Sequence, residues 1–449
     1  MLAKVSKYIE KAISNEDLLT HLKSFDLKSF EDQLLDLVLK FYRDLCENIL
    51  KAFCNSDYFK SQCNTKAGEI GGKKLKPRKV SLRICTGAKV CFNSPYMSKV
   101  KDRSIGERQL FHRFFDTVSG NSAAYTSRVC AQSVIAPSFE TGTELLKEVG
   151  VCSSVSTNRR LCLSFGHQNL KWRVALQLKD GESLKDKIVL IAVDGGRSRT
   201  RLYNGEVNIN GEREYDTPWK EPKLFVIHII DPKTGRQSQK ELPIYDCCFG
   251  DDECFELLEA YLSSLKVEEA EHIQFVADGA PWIWNRALAS LKKLKVKEGN
   301  ITQTLDYYHA VQHLGALLEA LPKSVEVAQK VRIRIKCKEL LWNGDVKKMI
   351  DLIKDQTGLQ NEDMAREIKY FEKHEKRCSY KAFRERKLVC GSGIIESGIR
   401  RVINLRFKAP ASFWQKENLQ PLIYLRAVFL SKRWSNIWKN RLKLNGGQI

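Results

Sequence analysis

Two short apolar runs, each ending in Asp-Gly, constrain this chain more than any other feature. Residues 188–193 read Ile-Val-Leu-Ile-Ala-Val before Asp194 and Gly195, and Phe275, Val276 and Ala277 lead into Asp278 and Gly279. An apolar run without polar alternation is a strand buried on both faces, which requires a sheet covered on each side. Further strands are expected at 223–230, 242–249 and 301–305, with helices at 252–265, 283–294 and 309–321. Three strands in succession, then strand, helix, strand, helix, predict an α/β fold: a mixed sheet with flanking helices. The chain has 449 residues, which leaves room for about three domains.

Upstream of this sheet the pattern is mainly helical. Residues 30–53 carry Leu34, Leu35, Leu37, Val38 and Phe41 at helical spacing, as a packing or oligomerisation element would. Between Lys66 and Val90 the only acid is Glu69, so this stretch reads as a basic linker running into a strand pair, with Val80, Leu82 and Ile84 alternating before a Thr86-Gly87 turn; a solvated lysine-rich loop is the alternative. Residues 139–149 and 155–163 then form two helices around Gly150. The second carries Ser156, Thr157, Asn158, Arg159 and Arg160, side chains suited to phosphate and base-edge contact if it enters a major groove. Two helices and a short turn also build any small helical domain. The expected organisation is a helical region over 1–65, then the linker, strand pair and helix-turn-helix-like segment over 66–180, then the α/β domain over 181–449.

Lys and Arg number 75 against 54 Asp and Glu, a formal net charge of +21. Such an excess points to a polyanionic partner, nucleic acid first. It is concentrated at the end: residues 386–449 hold Arg400, Arg401, Arg406 and Lys408 among many cations, with Glu396 and Glu417 their only acids. A solvated helix face mixes signs, so contact with the DNA backbone is expected here. No apolar run is long enough to span a bilayer, and no apolar block follows the charged first residues, so a soluble, cytoplasmic and nucleoid-associated protein without a secretory signal is expected. The fourteen cysteines form no C-x-x-C pair, which leaves reduced, mostly buried thiols rather than a zinc site. No G-x-x-x-x-G-K motif is present, so no nucleotide cofactor is expected.

Candidate chemistry gathers at acids. A carboxylate at the carboxyl end of a buried strand, beside small residues, is placed to hold a divalent metal; Asp194 before Gly-Gly also reads as a turn former. Asp278 repeats the arrangement. If the two strands are neighbours their carboxylates converge, and each raises the other's pKa unless a cation lies between them. Glu396, in Gly391-Ser-Gly-Ile-Ile-Glu-Ser, is not a capping-box partner of Ser392, because that position is Ile395. A surface pair with Arg400 is its bland alternative. Asp306 and His309 follow the strand at 301–305, where Asp306 either caps the next helix or orients the site. Trp282 either stacks on an unpaired base or packs into the core with Trp284.

The set Val193-Asp194-Gly195, Ala277-Asp278-Gly279-Ala280-Pro281-Trp282, Leu305-Asp306-Tyr307-Tyr308-His309 and Gly391 to Ser397 resembles the bacterial insertion-sequence transposases with an Asp-Asp-Glu triad. The resemblance covers about residues 185–440. It implies a ribonuclease H-like catalytic domain with a helical insertion, here about 322–388, and Asp194, Asp278 and Glu396 as ligands of two Mg²⁺ ions for which Mn²⁺ can substitute. Asp306 and His309 are then expected to orient that site. The function so implied is a transposase acting on double-stranded DNA as a homo-oligomer. A nuclease or junction resolvase that cuts without joining, and a DNA-binding regulator with an inactive triad, are the alternatives.

Overall fold

The computed structural model describes residues 14–100, 108–115, 117–322, 325–357, 361–410 and 412–447, together with Ser6, Ile9 and Glu10. The chain forms two compact units, 1–169 with 438–449, and 170–437. Residues 438–449, expected in the α/β domain, thus cluster with the first unit, and the expected boundary at 65 falls inside it.

The first unit opens with helices α1 (Glu16–Lys23), α2 (Leu27–Asn55) and α3 (Asp57–Glu69). Asp26 caps α2 through Ser29 N–H, and Ser56 caps α3 through Phe59 N–H. Strands β1 (Gly72–Arg83) and β2 (Lys89–Val100) form a hairpin whose register runs from Gly72 opposite Val100 to Arg83 opposite Lys89. The strand pair read from Val80, Leu82 and Ile84 is therefore there, with arms reaching back through the basic stretch. Val80, Val90, Phe92 and Met97 of the hairpin meet Phe59 and Cys63 of α3 and Phe111 of α4 (Leu110–Phe114) in one core. Helices α5 (Ala123–Ile135), α6 (Phe139–Glu148) and α7 (Val155–Leu170) follow. Gly150, with a φ of 72°, turns the chain between α6 and α7. Asn158, read as a base-contacting residue, is instead fully buried and donates to Thr143 Oγ1 at 2.9 Å, tying these two helices together. Arg159 and Arg160 beside it are exposed.

The second unit begins with α8 (Arg173–Gln177) and contains β3 (Ile188–Gly195), β4 (Ser198–Arg199), β5 (Leu202–Val207), β6 (Arg213–Asp216), β7 (Trp219–Lys220), β8 (Lys223–Asp231), β9 (Arg236–Gln237) and β10 (Ile244–Cys248). It continues with α9 (Asp251–Ser264), β11 (His272–Ala277), α10 (Pro281–Lys293), β12 (Ile301–Leu305) and α11 (Tyr307–Glu319). The main sheet runs β10-β8-β3-β11-β12, with β9 added to β8. β8 is antiparallel to both β3 and β10, whereas β3, β11 and β12 are mutually parallel. Counting the five long strands in chain order gives 3-2-1-4-5, with the second antiparallel to the rest. That is the ribonuclease H-like fold.

Alternation along the strands divides the two faces. Val189, Ile191, Val193, Phe225 and Ile244 point into a core with Phe255 and Leu258 of α9 and Ile283, Trp284 and Ala287 of α10. Their neighbours Leu224 and Tyr245 face the other way. There, α16 (Gly393–Gly398) packs so closely that a side chain on Gly398 would meet both. Between α11 and α16 stand α12 (Val327–Asn343), α13 (Val346–Thr357), α14 (Glu362–His374) and α15 (Tyr380–Glu385), the expected helical insertion. After α16 the helix widens into a π turn over Ile399–Asn404 and continues as α17 (Leu405–Phe407), and α18 (Lys416–Leu430) and α19 (Trp434–Gly447) complete the chain. All fourteen cysteines are free and nine of them are buried, as small hydrophobes are. Among the described residues no helix is long and apolar enough to cross a membrane.

Candidate active site at the sheet's carboxyl edge

Three acids stand in a row where the parallel strands end. Val276 pairs with Ala192 and Ala277 with Leu305, so Asp194, Asp278 and Asp306 leave β3, β11 and β12 at the same edge. Each carboxylate is held differently. Asp194 Oδ1 accepts the N–H of Gly195 at 2.6 Å. Asp278 Oδ1 accepts from Ala280 N–H at 2.9 Å, and its carbonyl accepts the indole N–H of Trp284 at 2.6 Å. Asp306 is fully buried and both its oxygens are occupied. Oδ1 accepts His309 N–H at 2.7 Å, capping α11, with the imidazole Nδ1 3.2 Å away, and Oδ2 accepts Ser392 N–H.

That last bond helps to deliver Glu396. The loop before α16 is fastened to the sheet at three points: Gln274 exchanges bonds with both backbone groups of Val389, Tyr307 N–H donates to Cys390 O at 2.9 Å, and Asp306 takes Ser392 N–H. The Ser392 hydroxyl makes no cap bond and lies 3.5 Å from Glu396 Oε1. Asp306, His309 and Glu396 have ligand atoms all within 4.8 Å of one another. Among the described residues they are the one such group of three, so Asp194, Asp278 and Glu396 do not converge at that distance. The imidazole of His309 sits amid the acids, within reach of the charges of Asp306, Asp278 and Asp194. No ion pair joins Glu396 to Arg400 among the described residues.

Electrostatics bind the same residues into one site. Burial pushes Asp194 up to about 6, against the Gly195 N–H it accepts, and the charge of Asp278 pushes it the same way. Burial also works to raise Asp306, but the bonds from His309 and Ser392 outweigh it and bring the group to about 2. His309 is raised, first by its hydrogen bond to Asp306 and then by the charges of Asp306, Asp278 and Asp194.

Two further groups reach this edge, and local sequence does not announce them. Glu221 lies so close to Gly195 that a Cβ there would overlap its carboxylate, and its charge raises Asp194. The antiparallel register that sets Gly195 opposite Lys223 is the signal that could have found it. Tyr370, on α14 of the insertion, lies against Gly279 and stacks on His313 with centroids 3.6 Å apart. The Gly-Gly after Asp194 therefore makes room for protein: Gly195 for Glu221, and Gly196 for Ile403 of the π turn.

The remaining predicted contacts divide. Arg400, Arg401 and Lys408 are exposed, although Arg401 also donates to Tyr245 Oη at 3.0 Å. Arg406, expected on a DNA-facing surface, is 4% exposed and lies over the Trp414 ring. Trp282, expected to stack on a base, packs with Phe255 at its edge and Lys223 Nζ 4.2 Å from its centroid. It joins the sheet core, as Trp284 does.

No protein-family model and no curated protein matches the sequence. Among solved structures the chain is similar to the Drosophila P element transposase strand transfer complex, at 13% identity and a TM-score of 0.26, over 71% of this chain and 80% of that one. A likeness that faint carries no functional weight, and the bacterial insertion-sequence family stays a resemblance of motifs.

Proposed function

We propose that this chain is a DNA transposase of the Asp-Asp-Glu type. It binds the ends of a mobile element, hydrolyses a strand to free a 3′-hydroxyl, and uses that hydroxyl to attack target DNA. The observation that carries this reading is the placement of Asp194 and Asp278 at the ends of neighbouring parallel strands, with Glu396 brought beside Asp306 and His309 after a helical insertion.

The donor set suits hard divalent cations. Asp194, Asp278 and Glu396 each keep a carboxylate oxygen clear of protein donors among the described residues, and oxygen ligands favour Mg²⁺ or Mn²⁺. Asp306 has no such oxygen, so it acts as a positioning residue that holds the Glu396 loop and the start of α11. Held by the three acids, a pair of Mg²⁺ ions, or Mn²⁺ in their place, would activate the attacking oxygen and stabilise the leaving one. His309 offsets part of the carboxylate charge, and the exposed cations of α7 and of the segment after α16 supply phosphate contacts. Joining two ends calls for more than one copy. Helix α2, which leaves Leu35, Val38 and Ile49 about half exposed, is the proposed meeting surface.

A labelled terminal inverted repeat with Mg²⁺ tests the reading. Wild type should nick it and should join a pre-cut end bearing a free 3′-hydroxyl to target DNA. Asp194→Ala and Glu396→Ala should do neither while still binding DNA. Nicking without joining would reduce the protein to a nuclease, and equal loss of binding in both variants would make the two acids folding residues.

A further inference from the structure

Between β3 and β8, where a short turn would suffice, the chain makes a long excursion through β4, β5, β6 and β7. It begins with Arg197-Ser198-Arg199-Thr200-Arg201, three residues past Asp194. Burial alternates strictly along it: Ser198 and Thr200 are fully buried, while Arg197, Arg199 and Arg201 are exposed. The segment is extended, so the three guanidinium stems leave one side at intervals of about 6.6 Å.

Its backbone is pinned on both sides. Ser198 and Arg199 pair with Lys220 and Trp219. Ser198 Oγ donates to Phe407 O at 2.9 Å, and Thr200 N–H donates to Pro218 O at 2.9 Å. Arg201 N–H donates to Trp414 O at 2.8 Å, and Trp414 N–H returns a bond to Arg199 O at 3.1 Å. Two of the side chains are also oriented. Arg199 lies 5.0 Å from the centroid of Trp219 and 5.9 Å from that of Phe413, and Arg201 lies 3.9 Å from that of Tyr215. Among the described residues none of the three pairs with a carboxylate. Three cations on a pinned strand, two of them held against rings and none paired with a carboxylate among the described residues, make a preorganised anion track.

We infer that Arg197, Arg199 and Arg201 bind consecutive phosphates of the DNA strand that enters the active site beside Asp194. The inference rests on reading the chain as an enzyme that acts on DNA. It adds the path the strand takes, and it moves the decisive phosphate contacts away from the basic carboxyl-terminal segment. The evenly spaced arginines address the backbone, so they position the strand and do not choose its sequence.

The test is the salt dependence of binding, read by anisotropy with a labelled duplex and a labelled single strand in EDTA, where no cleavage occurs. Each phosphate contact contributes about 0.9 to the slope of log K against log salt on duplex and about 0.7 on a single strand. The triple variant Arg197→Gln, Arg199→Gln, Arg201→Gln should therefore flatten the slope by about 2–3 units. The matching triple Lys variant should keep most of it, and both should retain the wild-type far-UV spectrum. An unchanged slope in the Gln variant, a Lys variant as flat as the Gln variant, or a wild type that binds neither probe would overturn the inference. A wild type that neither nicks nor joins, yet loses this slope in the Gln variant, would sink the transposase reading and leave the arginine track standing.

Discussion

Two sets of arginines in the second unit are indistinguishable by composition and opposite in their surroundings. Arg197, Arg199 and Arg201 are exposed on a pinned strand, whereas Arg406, Arg426 and Arg433 are all at least 95% buried. Arg433 donates to both oxygens of Glu182, at 2.6 and 2.8 Å, and to the carbonyls of Gln177, Leu242 and Pro243. Arg426 donates to Arg401 O at 2.8 Å. Arg433 ties the junction of α18 and α19 to the segment that enters β10, and Arg426 ties α18 to the π turn; a planar five-donor group can satisfy several carbonyls at once. Positive charge near the end of this chain is thus partly internal structure, and only charge that stays exposed and unpaired can meet a polyanion. The sharpest way to break the contrast is Arg433→Met. It strips Glu182 of its charged partner, leaving that carboxylate only the N–H of Lys179, and takes the donor from the carbonyls of Leu242 and Pro243, while Gln177 O keeps Asn436 Nδ2–H, so a loss of roughly 3 kcal/mol in denaturant unfolding is expected. A loss below about 0.5 kcal/mol would make Arg433 no more structural than a surface residue.

The three strand-end acids offer the same contrast on a smaller scale. Asp306 has both oxygens taken by backbone donors, while Asp194 and Asp278 each keep one clear of protein donors among the described residues. In Asp306→Asn the amide can still accept from His309 N–H, but it cannot also accept from Ser392 N–H. A buried donor left unsatisfied costs about 1–3 kcal/mol, and a cost in that range is expected. Asp278→Asn should cost less and should abolish cleavage outright. If both variants lose equal stability, the division between framework and chemistry fails.

How far all this could be read from the residues follows the range of the interaction concerned. The strand over 188–195 was legible because a doubly buried strand needs an apolar run, and Asp194 and Asp278 were legible because they end such runs; the strand over 301–305, Ile-Thr-Gln-Thr-Leu, shows instead the β-branched residues a strand favours. The capping role of Asp306 was legible as well, since its partner lies three residues on. Gln274 was not: it looks like one polar residue in a strand, and its partner Val389 lies far along the chain. Asn158 and Arg406 failed for the same reason, because their burial depends on elements that meet them only in the fold. The arginine row escaped notice because its alternation with serine and threonine carries no apolar signal. Only the buried hydroxyls of Ser198 and Thr200 show which side faces out.

Acid pH sharpens the comparison further. Burial works to raise Glu182, but its bonds to Arg433 prevail and hold it below the usual carboxylate range. A carboxyl whose folded pKa is depressed contributes stability that is present above its unfolded value, about 4.3, and lost as pH falls through the folded one. Wild type should therefore lose this contribution on acidification below about pH 4, whereas Arg433→Met has already lost it, and the two stability curves should converge. Parallel curves would show that the pair is not coupled.

The smallest effect expected closes the comparison from the other side. Among the described residues the Arg199 guanidinium touches only Trp219 and Phe413, so Arg199→Gln should change the unfolding free energy by no more than about 0.5 kcal/mol. The same substitution should flatten the salt dependence of duplex binding by about 0.9, one of the three contacts proposed for this row. An arginine that matters to DNA and not to stability is the mirror image of Arg433. If Arg199→Gln instead destabilises the fold and leaves the slope untouched, the exposed row is scaffold too, and the phosphates must be met elsewhere on the molecule.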